Sequence, residues 1–533
     1  MTVSRTVALQ LPRDVRSARV PMALWLLAAV VWLAATAGWR ALSLPDEGRY
    51  VGVAWEMLRS GDWAVPTLGG LPYFHKPPLF YWITAAALQV GGLHPWTARV
   101  ASWLAASLAA LALFVFLNRW SDAGRARSAL LALVTQPLFY GAAQYANLDI
   151  LVAACIGAAI LGFADAALCG AEGRTARASL TIAYAAMALG VLAKGLIGVV
   201  LPLLVIGLWT LRQQRGHVRK VWAALWWWPG VALFLLLVLP WFIAMQQRFP
   251  GFLDYFFLEQ HVRRFASGGF NNVQPFWFYA AVTPLLCLPW TVWLLPALRA
   301  AVWNDPEHDR LRSLMLIWAG VVLLFFSWPQ SKMVGYILPA CLPLAYLVAD
   351  GYRSCTSRFT RQAWRICALV ALIVGPLIVG WLARHDGKSS QAFARTLVQT
   401  PGAAQQPLVF VDHQPYDLPM LAGRDDALVV IDDWNAPAAR ARDDWRKELA
   451  DAARFASAER AARLVSAADI GARLCGSDAA WIVTGKDKAP AWLAGLTPMQ
   501  TSAHTRLWRL DGAALRALTH DCPKTPNDAP TGK

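Results

Sequence analysis

Charge is what this sequence has little of. Only 15% of its 533 residues are Asp, Glu, Lys or Arg, against 57% hydrophobic residues and a mean hydropathy of +0.40. That shortage excludes a string of soluble domains, which the length alone would allow, and leaves a chain that crosses a membrane many times. Cysteine is scarce too: eight residues, with no metal-type spacing. Cys155, Cys169, Cys287, Cys341, Cys355 and Cys367 lie in or beside apolar runs and read as packing residues. Cys475 and Cys522 stand in the polar C-terminal third, where they can pair if that part is exported. Acids are outnumbered by bases, 33 to 49, giving a net charge of +16. In a soluble protein that excess would suggest nucleic acid; here it belongs to cationic loops on the cytoplasmic face, and no nucleic-acid partner is expected. No strong repeat is present.

Tryptophan, by contrast, is plentiful. Of 28 residues, Trp25, Trp39, Trp120, Trp209, Trp303 and Trp381 stand near the ends of apolar runs, where amphipathic rings settle at the headgroup level. The first run, 21–42, follows Arg5, Arg13, Arg16 and Arg19 and lacks a clear small-residue cleavage site. It reads as a retained signal anchor behind a cytoplasmic segment 1–20. Further runs lie at 78–92, 100–118, 128–143, 150–168, 179–193, 196–211, 221–244, 276–298, 313–328, 333–349 and 366–383.

The arginines decide which of these cross. If 78–92 spans the membrane, Arg119, Arg125 and Arg127 fall on the same side as Asp46, opposite to the N-terminal arginines. If it lies on the surface, the cytoplasmic segments become 1–20, 119–127, 169–178, 212–220, 299–312 and 351–365, all rich in Lys or Arg as the positive-inside tendency requires. The expected fold is therefore an all-α polytopic domain over 21–383 with about eleven spans, eleven to thirteen at most. Residues 44–99 form a first periplasmic loop with surface helices. Beyond it, 384–533 carries β-type runs at 407–411, 427–431, 479–484 and 505–510 and an Ala-rich helical pattern at 436–464. These predict a periplasmic α/β domain with a disordered tail at 525–533.

One stretch organises the polar residues. Leu44 to Leu79 opens with Asp46 and Glu47 after a proline and closes with His75, Lys76 and two prolines. On the topology above they share the outer face with Asn147, Asp149, Lys194, the segment 246–275 and the segment 331–336. Asp46 reads either as the cap of a helix running through Leu58 or as a working carboxylate. Asp149 is a second acid at the outer end of a span, costly unless used or hydrated. Lys76 either snorkels to headgroups or binds phosphate. Lys194 interrupts one apolar stretch from 179 to 211, Arg263 and Arg264 follow His261, and Lys332 and Tyr336 lie in SKMVGYILP. Cations gathered on the side where positive-inside does not expect them call for an anion, and a phosphate-bearing lipid supplies one.

Six motifs in order, PDEGRY, YFHKPPL, NLD at 147–149, LAKG, QHVRRF and SKMVGYILP, resemble the GT-C lipid-linked-sugar glycosyltransferases over residues 21 to about 350. The nearest branch is that of the aminoarabinose transferases of lipid A, related to the protein O-mannosyltransferases. The resemblance implies a GT-C membrane fold, a donor sugar carried on undecaprenyl phosphate, and transfer at the periplasmic face of the bacterial inner membrane. Lipid A is the favoured acceptor and 4-amino-4-deoxy-L-arabinose the favoured sugar, with resistance to polymyxin as the consequence. It makes Asp46 the principal catalytic carboxylate and Asp149 the second acid. Tyr50 and Tyr73 line the sugar pocket; Lys76, Arg264 and Tyr336 bind the carrier phosphate, with Lys194 nearby. Glu47 and Lys332 join the substrate-binding set.

The chemistry suits those roles. Fixed cations stabilise the charge that develops on a departing phosphate, and in-line attack inverts the anomeric centre. A phosphate acceptor is already ionised, so Asp46 need only orient it; a hydroxyl acceptor needs Asp46 as general base. Other acceptors, a protein hydroxyl or another glycolipid, remain open within the class. A flippase for lipid-linked sugars would use the same cations but has little use for Asp46 and Asp149. Some relatives carry an acid before the Lys-Pro pair and a divalent metal nearby. Here His75 takes that place, and with His261 it is a candidate zinc ligand, although two ligands do not make a site.

Overall fold

The computed structural model describes residues 19–213, 218–263, 272–297, 309–355, 357–385, 387–442 and 444–519. Among them, six helices are long and apolar enough to cross a membrane: Val100–Trp120, Leu148–Ala171, Trp228–Arg248, Asp309–Ser327, Val334–Arg353 and Arg358–His385. Phe278–Leu286 and Trp290–Ala297 form a pair bent by 104°, and Met22–Ala35, Leu79–Gly91 and Ile197–Gln213 are shorter apolar helices. Long spans are thus fewer than the eleven to thirteen expected, and local sequence explains the shortfall. The run at 128–143 divides at Gln136, whose extended backbone precedes Pro137, into Ala123–Thr135 and Pro137–Ala143, because a residue before proline avoids the helical region. The runs at 179–193 and 196–211 are two helices as expected, Arg177–Lys194 and Ile197–Gln213, joined at Gly195, but the second is among the shorter apolar ones. Gly195 has φ 99° and ψ −154°, a conformation reserved almost wholly for glycine. Beyond that turn the two helices touch at Gly190 and Gly198, where a Cβ would overlap the facing backbone. Lys194 is thereby fixed at the apex of a tight helical hairpin.

Leu148–Ala171 is apolar all round and buried along nearly its whole length, the pattern of a central bundle helix. Asp149 stands at one end and Asp165 at the other, ~24 Å away at 1.5 Å per residue. Asp165 accepts from Arg119 at 3.1 Å and Trp120 at 2.7 Å. The same end holds Asp350, bound by Arg312 at 2.6 Å and Arg125 at 2.9 Å, and Arg353 beside Asp122 at 3.5 Å. Arginines that the sequence assigns to one side therefore converge at the end of the bundle away from Asp149. Arg358–His385 lies on the outside with Leu369, Ile373 and Leu377 bare, as a lipid-facing helix does.

At the other end, helix Asp46–Ser60 stops at Gly61, left-handed at φ 70°. Two short strands follow, β1 (Thr67–Leu68) and β2 (Leu71–Pro72), turned by Gly69 and Gly70 at φ 63° and 75°. Glu56 accepts from both glycine N–H groups, at 2.6 and 3.0 Å, and so ties this turn to the helix. Leu79–Gly91, at 13 residues, is too short for a perpendicular crossing and packs along Asp46–Ser60.

The C-terminal part is the expected α/β domain. Strands β3 (Leu408–Val411), β4 (Leu428–Ile431), β5 (Leu464–Ser466), β6 (Ala479–Gly485), β7 (Gln500–Thr501) and β8 (Thr505–Asp511) form one sheet in the order β5-β4-β3-β6-β8-β7, parallel from β5 to β6 and antiparallel beyond. The domain docks on the membrane part through the loop after β3, the turns before β4 and β5, and helix Trp445–Ala453. The loop after β3 lies against helix Asp46–Ser60, where a Cβ at Gly48 would stand 3.0 Å from the Asp417 nitrogen and one at Gly52 3.4 Å from the Tyr416 oxygen. Cys475 is disulfide-bonded, the six other described cysteines are free, and Cys522 lies outside the described residues.

Candidate active site

Asp46 and Glu47, adjacent in sequence, have opposite surroundings. Glu47 is fully enclosed. Arg99 binds it through Nε at 2.7 Å and a second guanidinium nitrogen at 3.0 Å, Arg40 at 2.8 Å, and the N–H groups of Ser43 and Ala146 at 2.8 Å each. Arg99 also donates to the carbonyls of Ala37, Arg40 and Ala41. Burial works against ionisation, but Arg99, then Arg40 and the Ala146 amide, hold the Glu47 carboxyl below its ordinary range. The expected substrate contact is therefore corrected. Every side of Glu47 is occupied by protein, and it knots the loop after the first helix to Asp46–Ser60 and to the start of Leu148–Ala171.

Asp46 is partly exposed. Pro45 is the residue before the helix and no side-chain cap forms, so the carboxylate is not spent as an N-cap. One oxygen accepts from Arg49 at 2.5 Å. The other arm of Arg49 reaches Glu448 of the C-terminal domain, also at 2.5 Å, and Glu448 accepts from the Tyr416 hydroxyl at 2.9 Å. The guanidinium is sandwiched by the rings of Tyr50 and Tyr416, 5.1 and 5.7 Å away, a cation–π setting that holds it in place.

The second acid, on Leu148–Ala171, faces the apex of the helical hairpin. Asn147 accepts from the Asp149 N–H at 2.9 Å and starts that helix. Asp149 pairs with Lys194, whose ammonium lies 4.6 Å from the Tyr336 ring centre. Gly335 is required next to it, because a Cβ there would strike the Asp149 carboxylate. Tyr50 joins the two halves. Burial raises its phenol pKa, and Arg49, Asp46, Asp149 and Glu448 all lie within electrostatic reach.

Tyr73 is buried and stacks on His75 with ring centres 4.9 Å apart. His75 Nε2 and the Tyr255 hydroxyl share a hydrogen bond of 2.8 Å, and Gln260 donates to that hydroxyl at 3.0 Å. Nδ1 then faces Glu448 at 4.0 Å. Tyr255 belongs to a π-helix, Asp254–Arg263, a form concentrated at functional sites. Lys76, half-buried, follows His75. Arg264 lies outside the described residues, as does the side chain of His261. Lys332 is buried and donates to the carbonyls of Gln274 at 2.9 Å and Pro329 at 2.5 Å. It staples two loops, a correction to its expected place on the substrate.

A family model described as dolichyl-phosphate-mannose-protein mannosyltransferase matches residues 22–256. The whole architecture superposes on ArnT from Cupriavidus metallidurans, solved bound to undecaprenyl phosphate, with a TM-score of 0.77 over 93% of this chain and 99% of that one, at 24% identity. The chain shares the fold of that structure. The likeness extends, at a TM-score of 0.52 and 14% identity, to the archaeal oligosaccharyltransferase AglB from Archaeoglobus fulgidus, covering 86% of this chain and 69% of that one. Among curated sequences, an undecaprenyl phosphate-alpha-4-amino-4-deoxy-L-arabinose arabinosyl transferase of Sodalis glossinidius is 35% identical over 64% of this chain, and one of Aeromonas salmonicida 33% identical over 64%. The match spans 62% of the length of each.

Within this GT-C fold, the described residues contain no group of three His, Cys, Asp or Glu able to hold a metal ion. His75 is engaged by Tyr255, so the described donor set does not fit a zinc centre, and no step is routed through one. Arg40, Arg49, Arg99, Tyr255, Tyr416 and Glu448 were not singled out from the sequence. Arg99 carried a signal, a cation between two apolar runs that needs a buried acid. Glu448 carried none, being one acid on a charged helix 399 positions from its partner.

Proposed function

We propose that this protein transfers 4-amino-4-deoxy-L-arabinose from undecaprenyl phosphate to a phosphate of lipid A, at the periplasmic face of the bacterial inner membrane. The observation that carries the reading is the pair of carboxylates, Asp46 on Arg49 and Asp149 on Lys194, both within electrostatic reach of Tyr50. The names of the arabinosyl transferase relatives supply the sugar and its carrier. In the reaction the bond from the anomeric carbon to the carrier phosphate breaks and its electron pair leaves on the phosphate oxygen. An acceptor oxygen forms the new bond from the opposite face, which inverts the centre. Lys194, with Lys76 and Arg264 carried over from the resemblance, neutralises the departing phosphate. Asp46 orients an acceptor that is already ionised, so no proton need be removed.

Charge supports the sidedness. Arginines cluster at the end of the bundle away from Asp149, the end that positive-inside assigns to the cytoplasm, and a disulfide at Cys475 suits an oxidising compartment. The decisive experiment is mass spectrometry of lipid A from cells with and without the protein. A gain equal to one pentosamine is expected, lost in Asp46→Asn while the protein remains inserted. Transfer by Asp46→Asn at the wild-type rate would overturn the catalytic assignment, and an unmodified lipid A would move the acceptor to a protein hydroxyl or another glycolipid.

A further inference from the structure

No Asp or Glu occurs between Glu172 and Asp254, a stretch that holds Arg212, Arg219 and Lys220 close together. Arg212 is taken up by Asp309 at 3.2 Å. Arg219 and Lys220 are both exposed, and neither forms an ion pair among the described residues. They stand on the eight-residue helix Val218–Leu225, which joins Ile197–Gln213 to Trp228–Arg248. This is the end of the bundle away from Asp149, because Ile197–Gln213 begins at the turn beside Lys194 and finishes here. Spacing sorts the faces of the short helix. Val221, Trp222 and Leu225 recur on one side. There a Cβ at Gly207 would stand 3.6 Å from the Trp222 ring, and Tyr184 gives its hydroxyl to the Leu225 carbonyl at 3.1 Å. Arg219, Lys220, Ala223 and Ala224 fall on the other side, and all four are exposed. The helix thus lies along the bundle with its apolar side on protein and its cationic side outward. Two tryptophans continue the surface. Trp226 and Trp228 are 57% and 69% exposed with ring centres 5.4 Å apart, whereas Trp227 between them is half-buried. Beyond them Trp228–Arg248 bares Leu235, Leu236 and Leu239, roughly 10 to 17 Å along the helix from Trp228 at about 1.5 Å per residue.

We propose that this surface holds an anionic phospholipid of the leaflet away from the candidate active site. Its phosphate rests on Arg219 and Lys220, its glycerol lies level with Trp226 and Trp228, and its acyl chains run along Leu235, Leu236 and Leu239. The inference goes beyond the transferase reading and does not depend on it: the lipid is neither donor nor acceptor. The order of the three layers decides the occupant. Cations, then indoles, then bare leucines repeat the order of phosphate, ester and hydrocarbon in a bilayer. A free anion would use only the first layer, and an acidic soluble protein would leave the leucines uncovered. A guanidinium and an ammonium side by side with no acid in 81 residues of sequence favour a headgroup of net negative charge, because a zwitterionic one brings its own cation against them. Basic side chains on the outward face of an interfacial helix are the usual means of attracting such headgroups.

Photo-crosslinking of the full-length protein in nanodiscs tests this. Phosphatidylglycerol with a diazirine midway along one acyl chain should label residues 228–239 at least about fivefold more than the matched phosphatidylcholine. Arg219→Glu combined with Lys220→Glu should remove that preference, and Arg219→Lys should keep it. Trp226→Ala combined with Trp228→Ala should lower labelling by either lipid. Because a ligand of the folded state raises stability, phosphatidylglycerol added in detergent should raise the melting temperature of wild type and leave that of the charge-reversed variant unchanged. Should charge reversal prevent insertion, Arg219→Gln combined with Lys220→Gln serves in its place with the same expected loss. Equal labelling by the two lipids would mean a non-selective annular layer and overturn the proposal, as would charge-reversed protein that labels like wild type. Labelling competed away by inorganic phosphate would assign the cations to a free anion, and a wild-type dimer that charge reversal dissociates would assign the face to a second copy; either result overturns it too.

Discussion

Two neighbouring carboxylates with the same ionisable group serve different ends because of what surrounds them. Glu47 balances two buried guanidiniums, so Glu47→Ala leaves uncompensated charge in the interior, and the cost should be about 3–5 kcal/mol, read as a large drop in melting temperature. Asp46→Asn should leave that temperature nearly unchanged and remove activity instead. The pH dependence has a definite sign. The Glu47 carboxyl is held below its unfolded value, so its contribution is present above the unfolded pKa, roughly 4.3, and is lost as pH falls through the folded one. Thermal unfolding followed from pH 6 to pH 3 should show an acid limb that Glu47→Gln flattens. A third residue, Glu448, reaches Asp46 through Arg49. Losing one charge-assisted bond is worth about 1.5–3 kcal/mol, so Glu448→Gln should lower kcat by roughly ten- to a hundredfold with little change in KM for the donor. Equal loss in KM would mean that Glu448 touches substrate. At this scale the sequence displayed the residues that stand out against apolar surroundings, Asp46, Asp149 and Lys194. It hid those whose meaning is a partner far along the chain, because Arg49 and Glu448 look like ordinary helix charges until the domains dock.

Elements were legible wherever periodicity and punctuation agreed. The hairpin that presents Lys194 could be read from LAKGLIG, since glycine is needed both at the turn and where the two backbones touch at Gly190 and Gly198. Gly195→Ala should cost about 1–3 kcal/mol through its backbone conformation and lower activity as Lys194 shifts from Asp149. Gly320→Ala, in open space on a helix, is the matched control and should be neutral or slightly stabilising. Span counting was less legible, because apolar composition continues through breaks that a single proline or glycine imposes, as at Gln136–Pro137. Strands β5 and β7, three and two residues long, carry too little pattern to be seen. The π-helix that brings Tyr255 to His75 leaves no periodic signature at all.

For the whole molecule, charge bookkeeping along the chain anticipated which arginines share an end, since electrostatics across a bilayer constrains every loop at once. It gave no account of how the C-terminal domain sits. That domain meets the membrane part through Arg49 and Glu448, through Phe455 packed on Phe74 and Tyr255 with ring centres 5.2 and 5.4 Å apart, and through Arg59 bonded to the Gly423 carbonyl at 2.5 Å. Chains ending at residue 388 should still insert but show no transfer, and adding Glu448→Gln to Arg49→Ala should cost little beyond the first change, because one bond is lost in both. Glu448 also leaves the ribosome long after Arg49, 399 positions behind it. The helix bearing Asp46 is made before that residue, so the guanidinium beside Asp46 gains its second anchor only after the C-terminal domain has folded. A chain whose C-terminal domain has not yet folded therefore holds Arg49 through Asp46 alone, and folding of that domain is the event that fixes the guanidinium at both ends.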